Sequence, residues 1–387
     1  MKARVYLKVD RRDFHPWIFQ NEIAKIEGDF ENGDVIKIHL SNGKFYGLGY
    51  INTKSKITVR LLSTQPATIE QMIDQRLEEA IERRKMLLED RQTYRLVNGE
   101  ADGLPGLVVD KYGEYLVLQI NTLGMEKLKG LIVEKLLRKF NPLGIYEKSD
   151  APTRLKEGLD ERCDWLVGRG ADILYFEHDG LLLAADLKGQ KTGAFLDQLH
   201  NSHICSLFAK DKVCLDVFCY TGNFALHLLK AGARFVTLID YSERSLSIAG
   251  QLLALNGFYG RYELVRANAF DWLKENSQFE RFDFVVLDPP SFAKTSVSKE
   301  SAKRGHKEIN LRAMKILKKP AVLATASCTQ VITEQEFEAI LLDAANDSKV
   351  LLNVLYTGGQ GFDHPFLLEV PETRYLKFII AEVRRRF

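Results

Sequence analysis

Hydrophobic and polar positions follow three different patterns along the chain of 387 residues. Over residues 1–66, apolar and polar positions alternate in short runs, as in Asp34–Leu40, Phe45–Asn52 and Ile57–Leu62. A period of two predicts half-buried strands, and Ser41-Asn-Gly43 between the first two runs predicts a hairpin turn. We therefore expect residues 1–66 to form a small β-rich domain.

The middle of the chain, residues 67–178, has a mixed pattern. Apolar residues recur every four positions from Ile69 to Ile81, and Thr68 with Gln71 has the spacing of a capping box, so a helix is predicted there. A loop, a strand and a second helix are predicted at Asn98–Asp110, Tyr115–Ile120 and Leu128–Phe140. We interpret this region as a central α/β domain.

From Val213 onward, within a C-terminal domain that we assign to residues 179–387, the pattern predicts alternating strands and helices. The nearly continuous apolar runs are Val213–Phe218, Val236–Ile239, Phe282–Leu287, Ala321–Ala326 and Val350–Tyr356. The amphipathic stretches between them are Phe224–Ala231, Ser242–Asn256 and Glu334–Ala345. Gly257 follows the second of these helices, and Thr333 with Glu336 could cap the third. The fold class indicated is α/β, with a doubly wound parallel sheet in this C-terminal domain.

The balance of charged residues excludes neither a nucleic-acid nor a small-molecule partner. The chain has 54 Lys and Arg against 52 Asp and Glu, a net charge of +2. Residues 1–65 carry eleven basic and seven acidic side chains, a local excess of +4. With Phe14, Trp17 and Tyr46 nearby, this region has the features of a nucleic-acid surface. The alternative is that these aromatic residues fill the core of a small barrel.

Cysteines and histidines give no metal motif. The five cysteines, Cys163, Cys205, Cys214, Cys219 and Cys328, have the spacing of neither a zinc site nor a disulfide framework. His200 and His203 are three residues apart, without a carboxylate or cysteine beside them that would complete a site. The N-terminus has no apolar signal segment, and no apolar run approaches the ~18 residues of a membrane span. We expect a cytoplasmic protein with reduced thiols, no bound metal and no membrane association.

Two acids stand where predicted strands end, which is where a doubly wound sheet binds its ligand. Asp216 lies near the end of the first run, and Asp240 follows the second run, in a position to accept from both hydroxyls of a ribose. Gly222 would allow the backbone to approach a ligand, and Asn268 with Ala269, after a third strand, would lie at an adenine. Either acid alone could equally be a turn or capping carboxylate.

The cofactor predicted for this edge is S-adenosylmethionine. A nicotinamide dehydrogenase would have the same acid, but it also needs Gly-x-Gly-x-x-Gly against the pyrophosphate, and only Gly222 is present here. S-adenosylmethionine has an adenosine and no phosphate, so it does not need that loop. Asp216 would hold its amino group indirectly.

The fourth strand runs into Asp288-Pro-Pro-Ser-Phe292. Two prolines cannot continue a strand, and they fix a rigid turn that projects the acid. Such a turn suits an extruded base, because the acid meets the exocyclic amine while the aromatic ring stacks on the base. Asp288 is thus a candidate catalytic residue, and the candidate substrate-binding residues are Pro289, Pro290, Ser291 and Phe292. The alternative interpretation is a plain strand terminator.

The fifth strand ends at Ser327-Cys328-Thr329, and a helix beginning near Thr333 could lower the pKa of that thiol. Addition of a thiolate to C6 of a pyrimidine makes C5 able to accept a methyl group. Asp288 would stabilise the charge that develops on the ring. The sequence does not identify the base that removes the C5 proton. A buried core thiol is the alternative.

Eight short motifs spread through nearly the whole chain. They are His15-Pro-Trp-Ile-Phe19, Asp102-Gly-Leu-Pro-Gly-Leu-Val-Val-Asp110, Arg154-Leu-Lys-Glu-Gly-Leu159, Gly189-Gln-Lys-Thr-Gly-Ala-Phe-Leu-Asp-Gln198, Phe218-Cys-Tyr-Thr-Gly222, Asp288-Pro-Pro-Ser-Phe292, Ser327-Cys328 and Asp363-His-Pro365. In these motifs the chain resembles the bacterial 23S rRNA cytosine-C5 methyltransferases of the large-subunit methyltransferase I type. The resemblance implies an N-terminal PUA domain that binds RNA, a central α/β domain, a class I methyltransferase domain and 23S rRNA as partner.

The resemblance also implies roles for individual residues. Cys328 would be the nucleophile, and Asp288 would contact the target cytosine or the cofactor. Phe218, Asn223, Asp240 and Asn268 would line the cofactor pocket, with Lys191 and Gln198 covering it. Together with the residues at the strand ends, the predicted cofactor-binding set is Lys191, Gln198, Asp216, Phe218, Tyr220, Thr221, Gly222, Asn223, Asp240, Tyr241, Asn268 and Ala269.

Two positions depart from related enzymes. The acid that usually meets adenine is Asn268 here, and its amide can still serve. Many RNA cytosine-C5 methyltransferases of other families have a second cysteine after the fourth strand that helps to release the enzyme. Pro290 occupies that turn, so the chain resembles the single-cysteine subgroup, and the sequence does not show how the enzyme would be released from the product.

Two other functions stay open: an rRNA guanine methyltransferase without a nucleophilic thiol, and a non-catalytic RNA-binding assembly factor. The oligomeric state is also open, and a homodimer is compatible with the sequence.

Overall fold

The structure, a computed structural model, describes residues 3–11, 14–88, 91–293 and 298–387. The chain divides into two compact units. The first comprises Met1–Phe176, Ala185–Ala194 and Phe362–Thr373, and the second comprises Glu177–Ala184, Phe195–Gly361 and Arg374–Phe387. Among the described residues, no helix has the length and apolar character needed to cross a membrane.

The N-terminal part of the first unit is a six-stranded sheet. Its strands are β1 (Arg4–Leu7), β2 (Trp17–Phe19), β3 (Ile23–Glu27), β4 (Val35–His39), β5 (Phe45–Ile51) and β6 (Ile57–Ser63). Their order is β2-β6-β5-β4-β1-β3, with β1 and β4 parallel and the other neighbours antiparallel. Ile36, Ile38 and Val59 lie in its core, as the alternation predicts. At the predicted hairpin, Gly43 has a φ of 82°, which glycine adopts without strain.

A second sheet completes the first unit. It has the order β11-β10-β9-β8-β7, with β7 (Thr93–Asn98), β8 (Leu107–Tyr112), β9 (Tyr115–Ile120), β10 (Gly144–Ser149) and β11 (Arg162–Gly168). The helices of this part are α1 (Ile69–Leu88), α2 (Leu123–Phe140) and α3 (Pro152–Lys156). The capping box that precedes α1 is formed, because Thr68 and Gln71 each accept the other's backbone N–H. The buried residues Ile73 and Leu77 lie on the predicted face of α1.

The loop predicted for Asn98–Asp110 is wrong in part. Gly99–Asp102 forms a 3-10 helix, and the segment from Leu107 onward belongs to β8. Leu107 and Val109 are completely buried in the core under this sheet, so the short apolar run is a strand although glycines precede it. The second predicted helix, α2, also begins earlier than Leu128, at Leu123, with Thr122 as its N-cap.

Two of the sequence motifs form a buried ion-pair network within the first unit. Both terminal nitrogens of the Arg84 guanidinium donate to Asp102, at 2.6 and 2.8 Å, and Nη2 also donates to the carbonyl oxygen of Asp363. The Asp363 carboxylate accepts the backbone N–H of Arg95 at 2.8 Å. Arg84 is 1% exposed, so loss of its carboxylate partner would leave a buried charge unpaired. We interpret Asp102 and Asp363 as structural residues.

A separate hairpin is formed by β12 (Ile173–His178) and β13 (Leu181–Asp186). Its turn consists of Asp179 and Gly180, whose φ angles are 51° and 64°. Two consecutive positive φ angles in an Asp-Gly turn are typical of the type I′ hairpin, which matches the right-handed twist of the strands.

The second unit is built on a seven-stranded sheet. Its strands are β14 (Val213–Val217), β15 (Phe235–Asp240), β16 (Tyr262–Arg266), β17 (Phe282–Leu287), β18 (Leu317–Ser327), β19 (Val350–Gly358) and β20 (Lys377–Arg385), in the order β16-β15-β14-β17-β18-β20-β19. Its helices are α4 (Leu199–Ser206), α5 (Asn223–Lys230), α6 (Glu243–Leu255), α7 (Ala269–Asn276), α8 (Lys299–Ile316) and α9 (Glu334–Ser348). The strand order reverses at β14, so the carboxyl ends of β14 and its neighbours are where a ligand is expected.

The predicted α/β fold with a doubly wound sheet is confirmed, except at one edge. Strands β14 to β18 pair in parallel, but β20 is antiparallel to both β18 and β19. A parallel return needs a crossover, usually a helix. The described segment between β19 and β20 has the short 3-10 helix Pro371–Thr373 in place of a full crossover helix. The capping box of Thr333 and Glu336 at α9 is formed as predicted.

Candidate active site

The chain makes a strained turn where β14 ends. Phe218 and Tyr220 have φ angles of 64° and 49°, and Gly222 has 83°. The backbone N–H groups of Phe218 and Cys219 both donate to the carbonyl oxygen of Ile239, at 2.9 and 3.1 Å. Positive φ angles at non-glycine residues are costly and cluster at functional sites, where surrounding contacts hold them. We call this turn, Phe218–Gly222, the cofactor loop, after the cofactor-binding residues that the sequence predicts there.

Asp240 connects the cofactor loop to the next strand end. Its carboxylate accepts the backbone N–H of Tyr220 at 3.0 Å and that of Ser242 at 2.8 Å. A carboxylate offers about four acceptor positions, so two hydroxyl groups of a ribose can still donate to it. The neighbouring Tyr241 is exposed, and the Tyr220 ring packs edge-on against Phe195.

Asp216 lies deeper than its predicted neighbours. It is 0% exposed, and its Oδ2 accepts the backbone N–H of Ala225 in α5 at 3.0 Å. Burial, together with the negative charges of Asp288 and Asp240, raises the pKa of Asp216 to about 8, although the hydrogen bond from Ala225 opposes the shift. Asp216 supports the first turn of α5 through this hydrogen bond, and its indirect role toward the cofactor stays a prediction.

Two buried polar atoms near the start of α5 have no hydrogen-bond partner among the described residues: Oδ1 of Asp216 and Nδ2 of Asn223. A buried donor or acceptor without a partner is costly, and it often marks the place of a ligand or an ordered water. The amino and carboxylate groups of S-adenosylmethionine have the matching polarity. The residues at this strand end therefore fit the predicted cofactor.

Asn268 and Ala269 lie at the start of α7, after β16. The side-chain oxygen of Asn268 accepts the N–H groups of Phe270 and Asp271, at 2.9 and 3.4 Å, and so caps the helix. Its amide nitrogen can still donate to a ring nitrogen of adenine. The ring of Phe270 lies 6.5 Å from that of Phe218 and 5.6 Å from that of Phe292. Aromatic contacts thus connect the cofactor loop with the turn after β17.

Asp288, at the end of β17, is held by a side chain from outside the sheet. Nε2 of Gln198 donates to Oδ1 of Asp288 at 2.9 Å, and the oxygen of Gln198 accepts from Asn201 at 2.7 Å. The structure therefore brings together two residues that the sequence places 90 positions apart. Lys191, predicted to cover the cofactor, belongs to the first unit, and its role stays a prediction.

The turn from Pro289 to Phe292 is supported from within the protein. Oγ of Ser291 donates to the carbonyl oxygen of Ala293 at 2.9 Å, and the N–H of Phe292 donates to Oγ1 of Thr329 at 3.3 Å. Pro289 is buried and Pro290 is exposed. The Phe292 ring lies 4.7 Å from that of His306, centroid to centroid. Phe292 thus has ring contacts within the protein, and stacking on a target base stays a prediction.

Cys328 lies directly after β18, beside this turn. Its Sγ is 3.8 Å from the carbonyl oxygen of Pro289, and the residue is half-buried. Cys205, Cys214 and Cys219 are buried, and burial raises the pKa of each of these thiols, to about 12 for Cys214. Cys163 is exposed but lies on β11 of the first unit. Of the five cysteines, all described by the structure, Cys328 alone both lies at this edge of the sheet and is only partly buried.

Two buried basic residues near Cys328 are absent from the sequence-based prediction. The first is Lys377, on β20, whose Nζ donates to the carbonyl oxygens of Thr329 and Tyr375 at 2.8 and 3.0 Å. Burial lowers the pKa of Lys377 to about 8, opposed by the negative charges of Cys328, Glu334 and Glu336. The sequence could have pointed to Lys377, because this lysine begins the otherwise apolar stretch Lys377–Ala381.

The second of these residues is His306, on α8. Its Nε2 lies 3.1 Å from Oγ of Ser327 and 3.4 Å from Oγ1 of Thr329. Burial, with a contribution from the charge of Lys377, lowers the pKa of His306 to about 4. His306 is therefore neutral at pH 7 and orders the strand end that carries Cys328.

Comparison with known proteins identifies the family. The profile of a PUA-like domain matches residues 10–64, and that of an S-adenosylmethionine-dependent methyltransferase matches residues 153–337. Ribosomal RNA large subunit methyltransferase I of Vibrio cholerae is 37% identical over 396 residues, covering 99% of this chain and 100% of that protein. The chain belongs to this methyltransferase family. The Aeromonas hydrophila member is 35% identical over 400 residues, with 99% and 100% coverage.

Solved structures agree on the fold. A Streptococcus mutans protein described as a SAM-dependent methyltransferase has a TM-score of 0.78 at 21% identity, covering 91% of this chain and 92% of that one. A methyltransferase solved in complex with SAH has the same score, identity and coverage. The cofactor of the family is S-adenosylmethionine, as the sequence predicts, and a nicotinamide dehydrogenase is excluded.

We expect Gly222→Ala to destabilise the protein by about 2 kcal/mol, because a φ of 83° strains alanine and the added Cβ would lie 3.2 Å from Leu238 and 3.3 Å from Ala249. Gly257→Ala is the matched control, since Gly257 has a φ of 79° and no described atom within 4 Å of the added Cβ. Both variants strain the backbone, but only Gly222→Ala also crowds its neighbours, so the difference between their unfolding temperatures measures the effect of crowding. Equal losses would contradict the packing argument.

Proposed function

We propose that the protein methylates C5 of a cytidine in 23S rRNA through a covalent adduct at Cys328. The observation that carries the proposal is the place of Cys328, half-buried at the end of β18 with Sγ 3.8 Å from the carbonyl oxygen of Pro289. A nucleophile beside the turn that follows Asp288 is what C5 chemistry needs and what guanine methylation does not. The family relatives are named as ribosomal RNA large subunit methyltransferases, which supports the substrate class.

The reaction follows from the groups at the active edge. Sγ of Cys328, as a thiolate, adds to C6 of the cytosine, and the electron pair of the C5–C6 double bond makes C5 nucleophilic. S-adenosylmethionine, when bound, would supply the methyl group to C5, and the bond that breaks is the one between that methyl group and the sulfonium sulfur, which becomes a neutral thioether. Asp288, held by Gln198, accepts from the 4-amino group, and its carboxyl proton, when present, is donated to N3 and stabilises the negative charge that develops on the ring. Loss of the C5 proton to a base then expels the Cys328 thiolate and restores the double bond.

RNA binding is proposed for the N-terminal region. The local excess of basic residues and the match of residues 10–64 to a PUA-like domain support it. The three domains of residues 1–66, 67–178 and 179–387 stay a proposal, as do a cytoplasmic location and a homodimer.

The proposal is tested by product identification. The full-length protein is incubated with deproteinised 23S rRNA and methyl-labelled S-adenosylmethionine, and the RNA is digested to nucleosides and analysed by mass spectrometry. We expect the label in 5-methylcytidine. Label in a methylated guanosine would replace the proposal with the alternative that needs no thiol. An unlabelled product, on both naked RNA and large-subunit particles, would favour a non-catalytic assembly factor.

The charge of Lys377 should favour the thiolate form of Cys328, because an adjacent cation lowers the pKa of a thiol. We expect Lys377→Met to lower the methylation rate at pH 7, because the positive charge beside the nucleophile is lost. Since the ammonium form of Lys377 is lost as the pH rises through about 8, the deficit should shrink above that pH. The rate is measured from pH 6 to pH 10.

Lys377→Arg, which keeps the charge, should retain most of the activity at pH 7. A pH-independent loss in Lys377→Met would mean that the residue only supports the fold, through its hydrogen bonds to Thr329 and Tyr375.

A further inference from the structure

We infer a metal-binding site in the second unit, remote in sequence from Cys328 and Asp288, formed by His178, Asp179, His203 and His227. Asp179 Oδ2 is the common neighbour of the three imidazole rings. It lies 3.0 Å from Nδ1 of His203, 3.6 Å from Nε2 of His178 and 3.8 Å from Nε2 of His227. The ligand atoms of His178, Asp179 and His227 all lie within 4.8 Å of one another. Imidazole nitrogens with one carboxylate oxygen form a donor set that Zn²⁺ binds with tetrahedral geometry.

Three separate elements supply these side chains. The type I′ turn between β12 and β13 presents His178 and Asp179 together. His203 lies on α4, and His227 lies near the end of α5. Nζ of Lys230 donates to the backbone carbonyl oxygen of Asp179, which fixes the turn against α5. The arrangement is thus held in place by the fold before any ion binds.

His227 gives independent evidence that a ligand belongs here. The residue is 3% exposed, and its Nδ1 lies 2.8 Å from the carbonyl oxygen of Asn223. A carbonyl oxygen only accepts, so Nδ1 carries the proton, and Nε2 of the neutral ring presents a lone pair to the cluster. This Nε2 is buried and has no hydrogen-bond partner among the described residues. Metal-bound histidines usually donate their other ring N–H to such a carbonyl oxygen.

The distances favour an ion over a simple ion pair. At 3.8 Å, His227 Nε2 is too far from Asp179 Oδ2 for a hydrogen bond, so this buried nitrogen is not paired with the carboxylate. Zinc bonds of about 2.0–2.1 Å place tetrahedral ligands about 3.4 Å apart. The distances from Asp179 Oδ2 to the three imidazole nitrogens, 3.0, 3.6 and 3.8 Å, lie on both sides of that value. The mutually close ligand atoms are those of His178, Asp179 and His227, so His203, which contacts Asp179 from outside that set, would have to move in to supply the fourth ligand. A bound ion would connect the hairpin turn to α4 and α5, and α5 begins directly after the cofactor loop.

The test uses the full-length protein after removal of metals with a chelator. Zn²⁺ is titrated by calorimetry and by thermal unfolding, and Co²⁺ serves as a spectroscopic probe of coordination. We expect one ion per chain, a rise in the unfolding temperature and a tetrahedral Co²⁺ spectrum. His203→Ala and His227→Gln should each weaken Zn²⁺ binding by more than about tenfold, because loss of even an outer-shell partner costs roughly 10- to 100-fold.

His203 is half exposed, so its alanine variant should fold even if His227→Gln does not. His200→Ala, three residues away on α4, is the matched control and should bind Zn²⁺ as the unmodified protein does. Failure to bind Zn²⁺ at micromolar concentration would overturn the inference. So would equal binding by His203→Ala, which would assign the ion to another group such as the exposed Cys163.

Discussion

Cys328→Ala should reduce methylation of 23S rRNA by about 10³-fold or more, the scale of loss when a covalent nucleophile is removed. Without the thiolate, C5 of cytosine is not nucleophilic, and the hydrogen bonds that Asp288 offers to the ring cannot replace the missing bond at C6. Binding of S-adenosylmethionine should be unchanged, because the cofactor loop is held by Ile239 and Asp240 on β15, which is separated from β18 by β14 and β17. The rate is measured by transfer of labelled methyl groups, and cofactor binding by calorimetry.

Cys163→Ala is the matched control for this variant. Cys163 is exposed on β11, so its replacement should leave both the rate and the unfolding temperature unchanged. A Cys328→Ala protein with normal activity would contradict the covalent mechanism and favour guanine as the target. Denaturing electrophoresis with RNA containing 5-fluorocytidine adds a direct readout, since fluorine at C5 cannot leave as a proton does and a stable complex through Cys328 is expected.

The second large effect is expected at Asp240. Asp240→Ala should weaken S-adenosylmethionine binding by at least about 100-fold, because two charge-assisted hydrogen bonds contribute about 1.5–3 kcal/mol each. The variant also removes the acceptor for the N–H groups of Tyr220 and Ser242, which releases the strained cofactor loop. The dissociation constant is determined by calorimetry.

Glu243→Ala is the matched control, because Glu243 lies three residues further on and its side chain is 78% exposed. It should bind the cofactor normally. Asp240→Asn keeps one oxygen as an acceptor and should show an intermediate loss. Normal affinity in Asp240→Ala, with an unchanged unfolding temperature, would contradict the assignment of this acid to the ribose.

Much of the fold could be predicted because its signals are local. The period-two alternation of residues 34–62 and the four-residue spacing from Ile69 to Ile81 depend only on neighbouring positions, and both elements form as predicted. The chain after β19 could not be predicted in this way. Whether β20 pairs in parallel depends on how the chain returns to the sheet, and no local sequence pattern indicates the direction of this last strand.

The candidate site also contains residues that local sequence predicts, at the strand ends, and residues from distant parts of the chain that hold them in place. Asp216, Asp240, Asp288 and Cys328 each lie at the end of an apolar run, and parallel pairing brings such ends to one edge of a sheet. Three further residues support that edge: Gln198 from the segment before α4, His306 from α8 and Lys377 from β20. Their hydrogen bonds to Asp288, Ser327 and Thr329 join residues 21 to 90 positions apart.

The sequence by itself therefore determined the class of the fold, the cofactor and the residues proposed for catalysis, because hydrophobic periodicity and strand-end chemistry can be read from adjacent residues. Only the tertiary structure decided which groups meet. It placed the ammonium of Lys377 near Cys328 and gathered His178, His203 and His227 around Asp179, where the sequence predicts no metal site. The physical reason is that charge interaction and ligand geometry depend on distances in space, which are set when separate strands and helices pack together.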